Sequence, residues 1–197
     1  RVAYMILRGD IQGKRVAILG DDDLTSIALA KTGITKEVVV FDIDKRLLAY
    51  IKDVAKSEKL NIKTVHKNLT EKFPKKYINY FDTFLTDPTP TPKPITLFTS
   101  MGIKSLKKGN ESVGYVSLYP SHMEKKLDFQ KSLSKMNVLV TDMIPFFGQY
   151  DFVKFTYSSS DLKLLKKYWR RGVYEKFICH KMRRCFCGAT TIFVAAS

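Results

Sequence analysis

Short apolar runs that alternate with helix-like segments are the feature that most restricts the fold of this chain. The runs are rich in Val, Ile and Phe and are only a few residues long, which is typical of buried strands in a parallel sheet. Between them, apolar residues recur at the spacing of a helix that covers a sheet. The alternation predicts an α/β fold with a doubly wound, mostly parallel sheet, in one domain over residues 1–197.

The predicted strands share this apolar character and end at polar or turn-forming residues; they are Arg15–Gly20, Glu37–Asp42, Ile62–His66, Phe81–Thr86, Val113–Tyr119 and Val138–Met143. A helix is predicted over Leu24–Lys31. Three further helical faces are marked by Leu47, Leu48, Ile51, Val54 and Ala55, by Leu97, Phe98, Met101 and Leu106, and by Phe129, Leu133 and Met136. Segments after Met143 can complete the sheet with an antiparallel pair; they are Asp151–Tyr157, the basic Asp161–Phe177 and Thr190–Ala195.

Composition excludes several classes of protein. No apolar stretch approaches the roughly 18 residues of a membrane span. The three cysteines do not resemble a disulfide framework, so we expect a reducing, cytoplasmic location. The net charge of +15 would suit nucleic acid, but the lysines are spread along the chain, which favours a solvated surface. The chain begins at Arg1 rather than Met, so we expect it to be a fragment or to follow disordered residues.

Three consecutive carboxylates occupy the turn after the first predicted strand, in the run Gly20-Asp21-Asp22-Asp23. In a nucleotide-binding α/β fold this turn faces the ligand and usually carries glycines that approach a diphosphate. Aspartates would repel a diphosphate or a ligand carboxylate and would attract a cation. The turn therefore predicts a cationic ligand.

Polar residues that follow the next strands predict a nucleoside site. Asp42 ends the second strand 22 positions after Gly20, which is the place for a carboxylate that accepts from ribose hydroxyls. Asp44 fits a helix cap better. Asn68 could read an adenine edge or simply form a turn, and Asp87 leaves the fourth strand towards the same cleft or is only a turn former.

The Pro-rich segment from Asp87 to Pro94 is predicted to be a stiff loop, because proline is excluded from helix interiors and central strands.

A nucleoside that carries a positive charge fits the aspartates, and S-adenosyl sulfonium compounds form that class. S-adenosylmethionine also carries a carboxylate, whereas its decarboxylated form does not. Charge complementarity favours the decarboxylated form.

These residues together resemble a known family. Gly20-Asp21-Asp22-Asp23, followed by Asp42-Ile43-Asp44 and Asp87-Pro88, is similar to the branched-chain polyamine synthases, over roughly residues 13–150. The resemblance implies an N4-bis(aminopropyl)spermidine synthase, an aminopropyltransferase on a class I methyltransferase-like Rossmann fold. It further implies that aminopropyl groups are transferred from decarboxylated S-adenosylmethionine to the internal nitrogen of spermidine. The branched polyamine that results is typical of thermophiles.

The resemblance also implies an N-terminal winged-helix-like domain in the family, which we expect to be absent from residues 1–197. Where the family commonly has Asp-Pro-Pro-Glu-Thr, this chain has Asp87-Pro88-Thr89-Pro90-Thr91, so the glutamate is replaced by Pro90. No metal is expected, and a homodimer is compatible with these features.

Aminopropyl transfer requires a carboxylate that takes a proton from the attacking amine, with a pKa raised towards the working pH. Like-charge neighbours raise carboxylate pKa values, and a helix N-terminus lowers them. Asp23 is predicted as the base, with Asp22 also in the catalytic set; Asp21 and Asp22 would hold cationic groups. Asp22 or Asp23 could instead cap the following helix. Asp87 and Tyr150 are the other predicted substrate contacts.

Aromatic residues after the late strands, at Tyr119, Phe146, Phe147 and Tyr150, could line a polyamine pocket but fit a core better. Cys179, His180, Cys185 and Cys187 have the wrong spacing for a closed zinc site, and the three cysteines are interpreted as buried thiols in a terminal strand.

Two other functions remain open. A nucleic-acid methyltransferase would suit the basic charge and the Asp-Pro exit of the fourth strand, although the first turn lacks Gly-x-Gly and the Asp-Pro loop lacks a stacking aromatic residue. A basic nucleic-acid-binding module explains the charge only. His66 and His122 have no nucleophile context, so hydrolase chemistry gains no support.

Overall fold

The computed structural model of the protein describes residues 1–88, 92–109, 112–118, 123–151 and 186–196; for Pro92, residues 123–126, 145–151 and 186–196 it describes the backbone only. Helices alternate with strands along most of this length. The helices are α1 (Val2–Leu7), α2 (Thr25–Lys31), α3 (Lys45–Ser57), α4 (Pro92–Ser105) and α5 (Met123–Lys135). The strands are β1 (Arg15–Leu19), β2 (Glu37–Asp42), β3 (Ile62–His66), β4 (Thr83–Thr86), β5 (Val113–Leu118), β6 (Val138–Asp151) and β7 (Phe186–Ala196).

The seven strands form one sheet in the order β3-β2-β1-β4-β5-β7-β6. The first five are parallel to one another, and β7 is antiparallel to both of its neighbours. Alternate residues of β1 enter two separate cores, because successive strand side chains point to opposite faces. Val16 and Ile18 pack with α1, α2 and α3, whereas Ala17 and Leu19 pack with α4 and α5. The prediction of a doubly wound, mostly parallel sheet is therefore confirmed.

Glycine in β5 and α4 admits one large ring at the centre of the second core. Phe84 lies between Gly114 and Gly102, and a Cβ placed on Gly114 would lie 2.1 Å from the ring atom Cε1 of Phe84. A contact that short cannot exist without movement of a fully buried side chain. These glycines thus allow α4 to approach the sheet and set the position of its first turns beside the site.

Three predicted boundaries need correction. The Pro-rich segment was expected to be loop as far as Pro94, but α4 begins at Pro92; proline is tolerated in a first helical turn, where its missing N–H has no partner in any case. The strand predicted at Val138–Met143 continues to Asp151. Phe81, predicted inside the fourth strand, forms an isolated bridge to Leu106, which lies beyond the end of α4.

The end of the chain completes the sheet, as predicted for Thr190–Ala195, which lies within β7. Asp151 belongs to β6, and residues 152–157 and 161–177 lie outside the described residues, as do Tyr119, His122, Cys179, His180 and Cys185. Cys187 lies in β7 opposite Tyr150 in β6, and the structure describes only the backbone of these two residues. No helix in the described ranges is long and apolar enough to cross a bilayer.

Candidate active site

The strand order reverses between β1 and β4, and this reversal brings two loops together. Leu19 at the end of β1 pairs with Thr86 at the end of β4, and the Thr86 hydroxyl donates to the Leu19 carbonyl at 2.8 Å. The loop that starts at Gly20 and the chain that continues to Asp87 therefore leave the sheet side by side. Crevices of this kind, beyond the carboxyl ends of strands, are where open α/β sheets bind ligands.

A cavity of about 210 Å³ opens beside the β1 loop. Its wall is mostly apolar and comes from the ends of β2 and β3 and from α4; the lining residues are Gly20, Phe41, Asp42, Ile43, Lys67, Asn68, Leu69, Thr70, Leu97 and Phe98. Gly20 has a φ of +76°, and a Cβ there would lie 3.3 Å from Phe98 Cε1. The glycine thus serves both the backbone turn and the close approach of the ring that lines the cavity.

Asp42 is held in place by backbone donors on two sides. Its Oδ2 accepts from the N–H of Asp21 at 3.2 Å, and its Oδ1 accepts from the N–H of Asp44 at 2.7 Å. Each carboxylate oxygen keeps a further lone pair, so Asp42 can still accept from ligand hydroxyls in the cavity. Asp44 caps α3 by accepting from the Arg46 N–H at 2.8 Å, which confirms the helix cap predicted for Asp44; the ribose contact of Asp42 stays a prediction.

Asn68 forms a turn, which is one of the two roles that the sequence left open, and its contact with adenine stays a prediction. Its Oδ1 accepts from the backbone N–H of Thr70 at 3.0 Å and from the Thr70 hydroxyl at 2.8 Å, which is an ordinary turn arrangement. The same residue lines the cavity. A ligand contact by Asn68 is therefore compatible with its turn-forming role.

The aspartates of the β1 loop lie in different environments, and the loop ends at Leu24, which precedes α2 in the left-handed conformation. Asp21 is 0% exposed, and its Oδ1 accepts from the N–H of Ser26 at 3.1 Å inside the first turn of α2. Burial raises the pKa of Asp21 to about 7, although hydrogen bonds from Ser26 oppose the shift. Asp21 does not line the cavity, and its contact with a ligand stays a prediction.

Asp23 and Asp87 share one cation, the guanidinium of Arg1. Nη1 of Arg1 donates to Asp23 Oδ2 at 2.5 Å, and Nη2 donates to Asp87 Oδ2. The other oxygen of Asp23 accepts from the Thr25 hydroxyl at 2.8 Å and from its N–H at 3.4 Å. The N-cap position of α2 is Leu24, so the prediction that Asp22 or Asp23 occupies it is wrong, although Asp23 and Asp21 accept hydrogen bonds from N–H groups of the first turn.

The carboxylates of Asp22, Asp23 and Asp87 are close enough to influence one another; they are called the acidic cluster below. Burial raises the pKa of Asp87, Arg1 opposes the shift, and Asp23 and Asp22 add to it. Like-charge repulsion was the predicted cause, but desolvation is the larger one here. Asp22 is exposed. None of the three lines the cavity, so the acidic cluster and the apolar cavity are neighbouring but separate parts of the cleft.

The structure thus brings the predicted residues together in two groups. Gly20, Asp42 and Asn68 meet at the cavity, and the acidic cluster forms beside the loop. Sequence reasoning missed Arg1, which comes from a helix that it did not predict, and the apolar wall of the cavity. The wall residues are neighbours of Asp42 and Asn68 in the sequence or lie in the first turns of α4. Their closeness in sequence to the predicted site residues could have indicated them.

Comparisons with known proteins agree with this geometry. Residues 1–174 match the family described as branched-chain polyamine synthase A C-terminal domain. An N(4)-bis(aminopropyl)spermidine synthase of Methanocaldococcus jannaschii is 42% identical over 156 residues, which cover 76% of this chain and 44% of that protein. A Thermus thermophilus protein of the same name is 37% identical over 77% of this chain and 44% of its own. The chain therefore spans less than half of these relatives.

Solved structures show the same architecture. The branched-chain polyamine synthase of Thermus thermophilus, in complex with N4-aminopropylspermidine and 5′-methylthioadenosine, superposes with a TM-score of 0.80 at 28% identity; the match covers 99% of this chain and 54% of that one. A putative methyltransferase of Bacillus halodurans has a TM-score of 0.72 at 15% identity over 98% and 97% of the two chains. The second likeness shows the methyltransferase-like Rossmann fold alone.

Proposed function

The chain belongs to the branched-chain polyamine synthase A C-terminal domain family, and from this premise we propose that it is the catalytic domain of an aminopropyltransferase. The donor is decarboxylated S-adenosylmethionine, and the acceptor is the internal nitrogen of spermidine. The product is N4-bis(aminopropyl)spermidine, as the names of the relatives indicate for those proteins. Residues 1–197 are proposed to form one domain.

The observation that carries the proposal is the acidic cluster beside the cavity, which already holds a cation. A guanidinium lies between Asp23 and Asp87, so the geometry suits a donor of several N–H bonds. A polyamine in its ammonium form has that chemistry. The complex of the Thermus relative with an aminopropylated spermidine and 5′-methylthioadenosine supports the same pairing of ligands.

The nucleoside part of the donor is proposed to occupy the cavity. Asp42 accepts from the ribose hydroxyls, with its orientation fixed by the N–H groups of Asp21 and Asp44. The apolar walls, including Phe41 and Phe98, cover the base, and the side chain of Asn68 contacts its polar edge. Gly20 lets the backbone approach the ligand without a Cβ in the way.

Transfer is a displacement at the carbon next to the sulfonium. The nitrogen lone pair of the acceptor forms the new C–N bond, and the electrons of the C–S bond leave with sulfur, which yields neutral methylthioadenosine. The acceptor must first lose a proton, and Asp23 takes it through Oδ2 while Thr25 holds the other carboxylate oxygen. Asp87 and the exposed Asp22 hold the neighbouring ammonium groups of the substrate.

The remaining predicted contacts take more limited roles. Asp21 is proposed to hold the loop rather than the ligand, because its carboxylate is buried against the start of α2. Contact of Tyr150 with the polyamine stays a prediction, since the structure describes only its backbone in β6.

Purified protein supplied with spermidine and decarboxylated S-adenosylmethionine is expected to produce methylthioadenosine and a spermidine heavier by one or two aminopropyl groups, measured by mass spectrometry. The Asp23→Asn variant is expected to lose transfer by at least about a hundredfold, in the range of a general base, while it keeps most of its affinity for methylthioadenosine. Asp53→Asn, which changes an exposed carboxylate on α3, is the matched control.

Turnover with S-adenosylmethionine and RNA or DNA, and none with spermidine, would contradict the proposal and favour a methyltransferase. An equal loss of transfer and of nucleoside affinity in Asp23→Asn would show that Asp23 supports the loop instead of acting on the acceptor.

A further inference from the structure

Arg1 occupies the part of the cleft where the proposed function needs a substrate cation. Its guanidinium joins Asp23 and Asp87, two of the three carboxylates in the acidic cluster, and the Arg1 side chain is only 11% exposed. Ion pairs between exposed side chains are weak, and the side chains of Asp23 and Asp87 are 31% and 27% exposed, but Arg1 itself is largely covered and uses two nitrogens of a planar group. The contact therefore has the strength to compete with a ligand.

The position of Arg1 is set by the packing of α1 rather than by the cleft. Met5 is fully buried in the core that α1, α2 and α3 share, and Ile11 anchors the chain between α1 and β1 in the same core. Arg1 is the residue that precedes the first turn of α1. A rotation of the Arg1 side chain can thus move the guanidinium out of the carboxylates while the buried Met5 keeps the helix packed.

We propose that Arg1 is an internal competitor for the acceptor: its guanidinium occupies the ammonium site between Asp23 and Asp87, and the polyamine displaces it on binding. The inference rests on the proposed function. When the cleft holds no polyamine, Arg1 compensates two carboxylates that would otherwise repel each other. When a polyamine enters, its N–H groups replace those of Arg1, so the affinity for acceptor and product is reduced by the free energy of the Arg1 contact.

The effect should be confined to the amine. The cavity wall contains neither Arg1 nor the two carboxylates that it holds, so methylthioadenosine binds without disturbing the contact. A residue that merely supported the loop would change the affinity for both ligands. This difference separates competition from a structural role.

The test measures the dissociation constants of spermidine and of methylthioadenosine by titration calorimetry for three proteins. Arg1→Ala is expected to bind spermidine about three- to tenfold more tightly, the range expected for loss of a partly shielded ion pair. Its affinity for methylthioadenosine is expected to stay within about twofold. Arg8→Ala is the matched control, since Arg8 caps the other end of α1 and pairs with Asp142 outside the cleft; it is expected to leave both constants unchanged.

Unchanged or weaker spermidine binding in Arg1→Ala would overturn the inference, and so would equal tightening of methylthioadenosine. If Arg1→Ala does not fold, Arg1→Lys replaces it: lysine keeps the charge but not the planar fork, so spermidine is expected to bind more tightly by a smaller factor. Unchanged or weaker spermidine binding in Arg1→Lys would overturn the inference in the same way.

Turnover by the wild-type protein separates this inference from the proposed function. If the wild-type protein transfers aminopropyl groups but Arg1→Ala leaves spermidine binding unchanged, only the competition by Arg1 is refuted. If Arg1→Ala binds spermidine more tightly but the wild-type protein shows no transfer, only the proposed catalytic function is refuted.

Discussion

Substitution of Asp21 by asparagine is expected to change how the stability of the protein depends on pH. In the folded protein burial raises the pKa of Asp21 from 3.8 to about 7, so its carboxyl keeps a proton that the unfolded chain releases. The folded state therefore binds more protons than the unfolded state between these two pH values. Wild-type stability contributed by this group is full below about pH 4 and is lost as the pH rises through 7.

The size of the effect follows from the same shift. Each pH unit inside this window changes the free energy of unfolding by up to about 1.4 kcal/mol for one proton, so pH 5 to pH 7 spans at most about 2.7 kcal/mol. Movement of the loop and entry of water reduce this, and we expect about 1–2 kcal/mol between pH 5 and pH 7. The asparagine side chain of the variant has no charge to bury and keeps an oxygen for the Ser26 N–H, so the variant lacks this dependence.

Urea unfolding of wild type and Asp21→Asn at pH 5, 6, 7 and 8 measures the difference directly. The variant is expected to gain stability relative to wild type from pH 5 to pH 7, with little further change at pH 8. Asp53→Asn, at an exposed site, should show a constant difference. A difference between Asp21→Asn and wild type that stays constant within about 0.5 kcal/mol would refute the reasoning from burial.

Two further predictions concern the cavity. Asp42→Ala is expected to weaken methylthioadenosine binding about ten- to hundredfold, the worth of charged hydrogen bonds, whereas Asp44→Ala should lower the stability through the lost helix cap and leave the affinity unchanged; equal affinities for the two variants would contradict the role of Asp42. Gly20→Ala and Gly33→Ala each place a Cβ at positive φ, at a cost of about 1–2 kcal/mol in thermal or urea unfolding. Because only the Cβ at position 20 meets a ring of the cavity wall, only Gly20→Ala should also weaken methylthioadenosine binding.

The parallel half of the sheet could be predicted from the sequence because its strands are short, apolar and bounded by turn residues. The regions Arg15–Leu19 and Glu37–Asp42 are buried on both faces, and buried strands carry a strong local signal. The β6–β7 pair gave less signal, since β6 has register shifts after Val140 and after Ile144. Irregular pairing of that kind depends on the partner strand and not on the local residue pattern.

The cleft was predicted only in part, for similar reasons. Asp42 and Asn68 follow strands whose ends could be located, so their place at the crevice followed from the topology. Asp21 is buried in a loop that ends with a left-handed Leu24, a conformation that no propensity indicates for leucine. Arg1 reaches Asp87 across 86 positions of sequence, and a contact of that range depends on how α1 packs.

The most direct test of the charge-selective cleft compares the binding of decarboxylated S-adenosylmethionine with that of S-adenosylmethionine. The acidic cluster and Arg1 leave two net negative charges near the ligand. Each would repel an added carboxylate by about 0.7 kcal/mol at about 6 Å in a water-like medium, so the decarboxylated compound should bind about tenfold more tightly. Calorimetry with both compounds is expected to show this preference, and Asp22→Asn is expected to reduce it. Equal affinities, or a preference for S-adenosylmethionine, would contradict the assignment of the cleft to a cationic donor.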